Sequence, residues 1–165
     1  MKKVCILTGA LLCLALPAKS EDAPKASQGY RGFIDFGYNI GTMTYDDANR
    51  IELSMSHGYQ FKFPLFIGLG VGYNGYTDEH FPEAMTTFAD ARYTADWLQF
   101  GRFAPFVGMK FGIEWLFSPE IWAEFYTQPS LGLKYNFNEK IAAHFSIGYS
   151  STVHTGVALK VGVEF

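Results

Sequence analysis

Cysteine is nearly missing from this 165-residue chain: there are two, Cys5 and Cys13, both in an apolar N-terminal segment. The remainder can hold neither a disulfide framework nor a thiolate metal site. Long apolar runs are missing too. Beyond the N-terminal segment, no stretch approaches the ~18 residues of a membrane-spanning helix. Basic residues are few, 13 against 16 acidic ones, for a net charge of −3. That balance leaves no basic patch to release counterions, which argues against nucleic acid as a partner. Gly68, Gly70 and Gly72 lack the strand–turn–helix setting of a phosphate loop.

What is present begins with a targeting pattern. Met1-Lys2-Lys3 is basic, Val4 to Leu16 is apolar, and Pro17-Ala18-Lys19-Ser20 supplies small residues around a cut. Residues 1–20 are read as a secretory signal peptide, and residues 21–29 as a polar, flexible lead-in. Cleavage would remove both cysteines and three lysines, leaving ten basic and sixteen acidic residues. Aromatics form 18% of the chain, and glycines number 17.

The clearest periodic stretch is residues 154–165. Val157, Leu159, Val161, Val163 and Phe165 alternate with Gly156, Ala158, Lys160, Gly162 and Glu164. A period of two is a strand with two unlike faces. The same alternation predicts strands at 30–40, 50–59, 65–76, 87–97, 103–115, 123–137 and 141–151. Pro129 lies inside the sixth and cannot donate to a ladder, so a bulge is expected there. Eight strands of about ten residues suit an all-β, antiparallel, up-and-down transmembrane β-barrel over residues 30–165. Connections after the second, fourth and sixth strands read as short. Those at 41–49 and 77–86 read as longer and acidic, which puts both termini in the periplasm.

Aromatics choose the medium. Tyr59, Phe61, Trp97, Phe103, Tyr135, Phe137 and Phe165 fall at one set of strand ends, and Tyr38, Tyr73, Trp115, Trp122, Phe125 and Tyr149 at the other. Two such girdles, with uncharged Ile, Leu, Val, Met and Ala between them, fit two membrane interfaces. The opposite face carries Arg31, Asp35, Glu52, Asp90, Arg92, Asp96, Lys110, Glu114, Glu124, Lys134, Lys160 and Glu164. The lumen of eight strands is just wide enough for side chains to fill. These charges are therefore expected to pair inside, with inward glycines making room for Phe66, Phe106, Tyr126 and the long bases.

On these features the chain resembles the small eight-stranded outer-membrane barrels, the family of the OmpA transmembrane domain and OmpX. The most specific part is the final strand. Val161, Val163 and Phe165 match the terminal signal read by the outer-membrane assembly machinery. The resemblance implies an outer-membrane location, a structural or envelope-integrity role, and lipid and lipopolysaccharide as surroundings. It implies no cofactor and no metal.

A catalytic reading competes with the structural one. Some barrels of this size modify lipid A, and His144-Phe145-Ser146 has the His-x-Ser spacing of such enzymes, with Ser146 as nucleophile and His144 as base. The strand phase puts both inside, away from lipid, and no orienting acid follows. Asp78, Glu79, His80 and Glu83 offer hard ligands for a divalent cation, but a solvated loop explains them as well. A narrow ion path past Glu52, Arg92, Lys110 and Glu114 competes with a plugged lumen. A soluble lipocalin-like binder would need the apolar face turned inward.

Overall fold

The computed structural model describes residues 28–42, 49–77, 82–117, 121–152 and 155–165. The signal-peptide reading and most of the lead-in lie outside these residues. The strands are β1 (Gly29–Gly41), β2 (Arg50–Gln60), β3 (Leu65–Tyr76), β4 (Ala84–Thr94), β5 (Phe103–Phe117), β6 (Ile121–Asn136), β7 (Ala142–Ser150) and β8 (Gly156–Glu164). Each pairs antiparallel with the next, and β8 returns to β1, closing the barrel. Among the described residues no helix is long and apolar enough to cross a membrane.

The register fixes the barrel's shape. From Arg31, partners run through Gly58, Gly68, Asp90 and Lys110 to Gln128, cross to Ser150 on the register shared by Thr127↔Ser151 and Ser130↔Gly148, and return through Gly156 to Gly41, ten residues further along β1. Eight strands with a stagger of ten tilt by about 40° and enclose a backbone radius of about 8 Å. Side chains alone can fill that width.

Four details differ from the sequence reading. First, β4 starts at Ala84 and stops at Thr94. Ala95 still donates to Pro105, but Leu98 then turns back onto the Ala95 carbonyl at 2.9 Å, making a 3₁₀ turn over Asp96–Leu98. Asp96 and Trp97 therefore leave the strand, and Asp96 is not a lumenal residue. Gly101, at φ +58°, completes the reversal, a conformation that L side chains rarely adopt.

Second, β5 and β6 zip further than expected, to Phe117↔Ile121, because their apolar alternation continues to the hairpin tip. Third, connection length does not separate the two ends. At the end holding 61–64 and 137–141, the 95–102 connection has eight residues. At the other end, 42–49 has eight but 118–120 only three. Fourth, Pro129 makes no bulge. Thr127↔Ser151 and Ser130↔Gly148 keep the same register, and the β6–β7 ladder merely skips the positions between. Thr127 and Ser151 exchange both backbone bonds. The next such pair would need a donor at Pro129, which proline lacks.

The faces are unlike. Outward stand Ile34, Phe36, Leu53, Met55, Leu69, Val71, Phe111, Ile147, Leu159 and Val161, all exposed, and no Lys, Arg, Asp or Glu interrupts them along the strands. Inward stand Lys160 and Glu114, 5% and 0% exposed. A soluble ligand-binding barrel has the reverse arrangement. This exterior suits hydrocarbon. Interior rings lie over glycines. A Cβ on Gly70 would come 2.6 Å from Phe88 Cζ, and one on Gly68 2.5 Å from Phe66 Cζ.

Candidate functional site

Alternation turns every second residue into the lumen, so each strand delivers a polar side chain at about 7 Å intervals. The stagger sets which ones meet. Asp35 on β1 is the hub. Arg92 Nη2 donates to it at 2.7 Å, Lys110 Nζ at 2.8 Å, and His144 Nε2 lies 2.6 Å from Oδ1. Asp90 holds the other side of Arg92 at 2.9 Å and accepts from Ser56 Oγ at 2.7 Å. Lys110 also donates to Ser54 Oγ at 2.9 Å. The Arg92 guanidinium lies 4.0 Å from the Phe33 ring centroid, and Lys110 Nζ is 4.7 Å from that of Phe88. Both bases are therefore surrounded by anions and ring faces.

Two further groups flank this one toward the loop end. Lys160 is paired with Glu52 and donates also to Gln128. Tyr126 bridges Gln128 at 2.9 Å and Glu52 at 3.4 Å. Beyond them Arg50 faces Glu114 at 3.6 Å and donates to Ser150, while Asn74 donates to Glu114. At the turn end Glu164 lies between Arg31, at 3.8 Å, and Lys134, at 3.4 Å. Arg31 also donates to the Lys140 carbonyl at 3.0 Å and to that of Glu139. A small recess at this end is lined by Phe33, Phe66, Phe106, Arg92, Lys134 and His144 among others.

Of the twelve charges expected to pair inside, Arg31, Asp35, Glu52, Asp90, Arg92, Lys110, Glu114, Lys134, Lys160 and Glu164 are buried and fall into these groups. Glu124 is only half-buried, and its register partner is another carboxylate, Glu114. Arg50, 1% exposed, was missed, although its even number puts it on the face of Glu52 and Ser54. With Arg50 included, six bases meet five acids in the buried lumen. The role of His144 as a partner of Asp35 was also missed, because it depends on a contact 109 residues away in sequence.

The candidate catalytic pair is in the lumen. His144 Nε2 meets Asp35 and Arg92 Nη1, the latter at 3.3 Å, and both His144 and Ser146 are buried. Of the candidate cation ligands, Asp78, Glu79 and His80 lie outside the described residues. Among the described residues no group of three His, Cys, Asp or Glu is placed to hold a metal. Val161, Val163 and Phe165 all point outward. Phe165 exchanges backbone bonds with Gly32 at 2.7 and 2.9 Å, and its ring is 6.1 Å from that of His57.

No protein-family model matches the chain, and no curated protein sequence does. Solved structures do. The crystal structure of Neisserial surface protein A (NspA) superposes with a TM-score of 0.61 at 15% identity, covering 82% of this chain and 96% of that one. The N-terminal β-barrel domain of OprF from Pseudomonas aeruginosa gives 0.55 at 19% identity, covering 84% and 100%. A de novo designed transmembrane β-barrel gives 0.50 at 15%, covering 87% and 98%. The fold is that of the small eight-stranded outer-membrane β-barrels.

Proposed function

We propose that the protein is an integral outer-membrane barrel with a structural, envelope-supporting role, a lumen closed by its own paired side chains, and no catalysis. The observation that carries this reading is the separation of side chains: an uncharged, exposed apolar band outside, and six bases with five acids buried inside. Such an exterior is stable only against lipid. Ion pairs across the interior, most of them at hydrogen-bonding distance, support a lumen without a continuous column of water. Outer-membrane lipid and lipopolysaccharide are its surroundings in this reading. The assembly machinery, acting on Val161, Val163 and Phe165, is its partner during biogenesis.

Refolded protein in a planar bilayer tests the closed lumen. No sustained current is expected, and steady stepwise conductance would overturn it. The absence of catalysis is tested by the lipid A mass profile of cells with and without the protein. The two profiles should match; loss of an acyl chain only in expressing cells would make it an enzyme. The burial of His144 and Ser146 inside the barrel, away from lipid, supports the matching outcome.

A further inference from the structure

The turn end of the barrel carries a charge pattern that the lumen does not use. The connections at 61–64, 95–102 and 137–141 meet there with both ends of the barrel chain. Each carries one exposed base: Lys62, Arg102 and Lys140. None of the three side chains has an ion-pair partner among the described residues. Each sits beside exposed rings. Phe63, 60% exposed, follows Lys62; Trp97, 75% exposed, shares the connection of Arg102; Phe137, 52% exposed, shares that of Lys140.

These connections are held in place by their own bonds. Phe61 N donates to Leu65 O at 2.9 Å, Phe103 N to Phe100 O at 3.1 Å, and Asn138 Oδ1 accepts from the backbone of Lys140 and Ile141 at 2.8 Å. Acids are fewer here, Asp96 and Glu139. The opposite end differs in sign. Its connections, 42–49, 77–83, 118–120 and 151–155, hold six acids and no Lys or Arg.

We infer that the turn end is a headgroup-binding rim for anionic phospholipid. Resting on the membrane reading above, the exposed rings sit at headgroup depth and Lys62, Arg102 and Lys140 contact lipid phosphates around the barrel. Rings prefer that depth, and surface bases there are attracted to anionic lipid. The acidic loop end repels the same lipid, so the preference belongs to one leaflet.

Quenching of Trp97 by brominated lipid tests this. A Trp115→Phe/Trp122→Phe chain, leaving Trp97 as the sole tryptophan of the barrel, is inserted into phosphatidylcholine vesicles, and insertion is checked by heat-modifiable gel migration. Brominated phosphatidylglycerol should compete for the Trp97 site at least about fivefold better than brominated phosphatidylcholine, the factor one surface base contributes. The preference should shrink with salt and vanish in Lys62→Gln/Arg102→Gln/Lys140→Gln. If that triple variant does not insert, Arg102→Gln alone should reduce the preference. Equal quenching by the two lipids, or a preference that survives neutralisation, overturns the inference. Displacement of phosphatidylglycerol by purified lipid A at lower concentration than by phosphatidylglycerol itself also overturns it. Failure to insert at all sinks this inference together with the membrane reading; insertion with equal quenching sinks this inference alone.

Discussion

Asp35→Asn is the substitution most informative about the lumen. The Asp35 side chain is 4% exposed and meets Arg92 at 2.7 Å, Lys110 at 2.8 Å and His144 at 2.6 Å. Asparagine keeps its shape and removes its charge. Arg92 then keeps one carboxylate, Asp90 at 2.9 Å, with the Phe33 ring, and Lys110 retains Ser54 and the Phe88 ring. Deleting one partner of a buried ion pair costs about 3–5 kcal/mol, because a buried charge is left uncompensated. The surviving Asp90 contact puts this site near the lower figure, about 3 kcal/mol. With a urea slope of about 1–3 kcal/mol/M, the unfolding midpoint in phosphatidylcholine vesicles should fall by about 1–3 M. Adding Lys110→Met should recover part of the loss, with a coupling of at least about 1 kcal/mol in the double-mutant cycle. A loss below about 1 kcal/mol, with no coupling, would mean that water solvates the orphaned bases. The closed, ion-paired lumen would then be wrong.

Other outcomes follow from the walls. Val161→Arg, on the lipid face, should cost about 2–4 kcal/mol, whereas Phe63→Arg at the turn rim should cost about 0–1, both by urea unfolding in vesicles. Pro129→Val returns a donor opposite Tyr149 on an apolar face, so it should stabilise by about 1 kcal/mol and protect that amide in hydrogen exchange. Gly32→Ala would put a Cβ 2.6 Å from the Phe165 ring. It should displace the ring, lower the fraction of heat-modifiable folded protein, and leave truncated Phe165→Ala protein insensitive to the same change.

The wall was legible in the sequence because the pleat allows only two faces. Once Leu159 and Val161 were outward, Lys160 and Glu164 had to be inward. Which strands meet across the lumen was not legible. Asp35 and Lys110 are 75 residues apart, and only the stagger of the closed sheet brings them together. Residues at element ends were hardest. Arg50 opens β2, so its phase depends on where the strand begins. Asp96 and Trp97 continue the alternation of β4 although the backbone has already turned. The eight-residue connection at 95–102 shows why loop length was a poor guide to the two ends. Nothing in the alternation announces the 3₁₀ turn, and the signal lies instead in Gly101 and Pro105 behind it.

The skipped rung at Pro129 makes the cylinder mechanically uneven. Every other boundary is a continuous ladder, whereas the one between β6 and β7 is fastened by Ser130 to Asn136 and by a lone stitch at Thr127. Under hoop tension the wall would part first along that fault. Any sideways opening from the lumen toward the bilayer would therefore begin between Pro129 and Tyr149, at the height of Gln128 and Lys160.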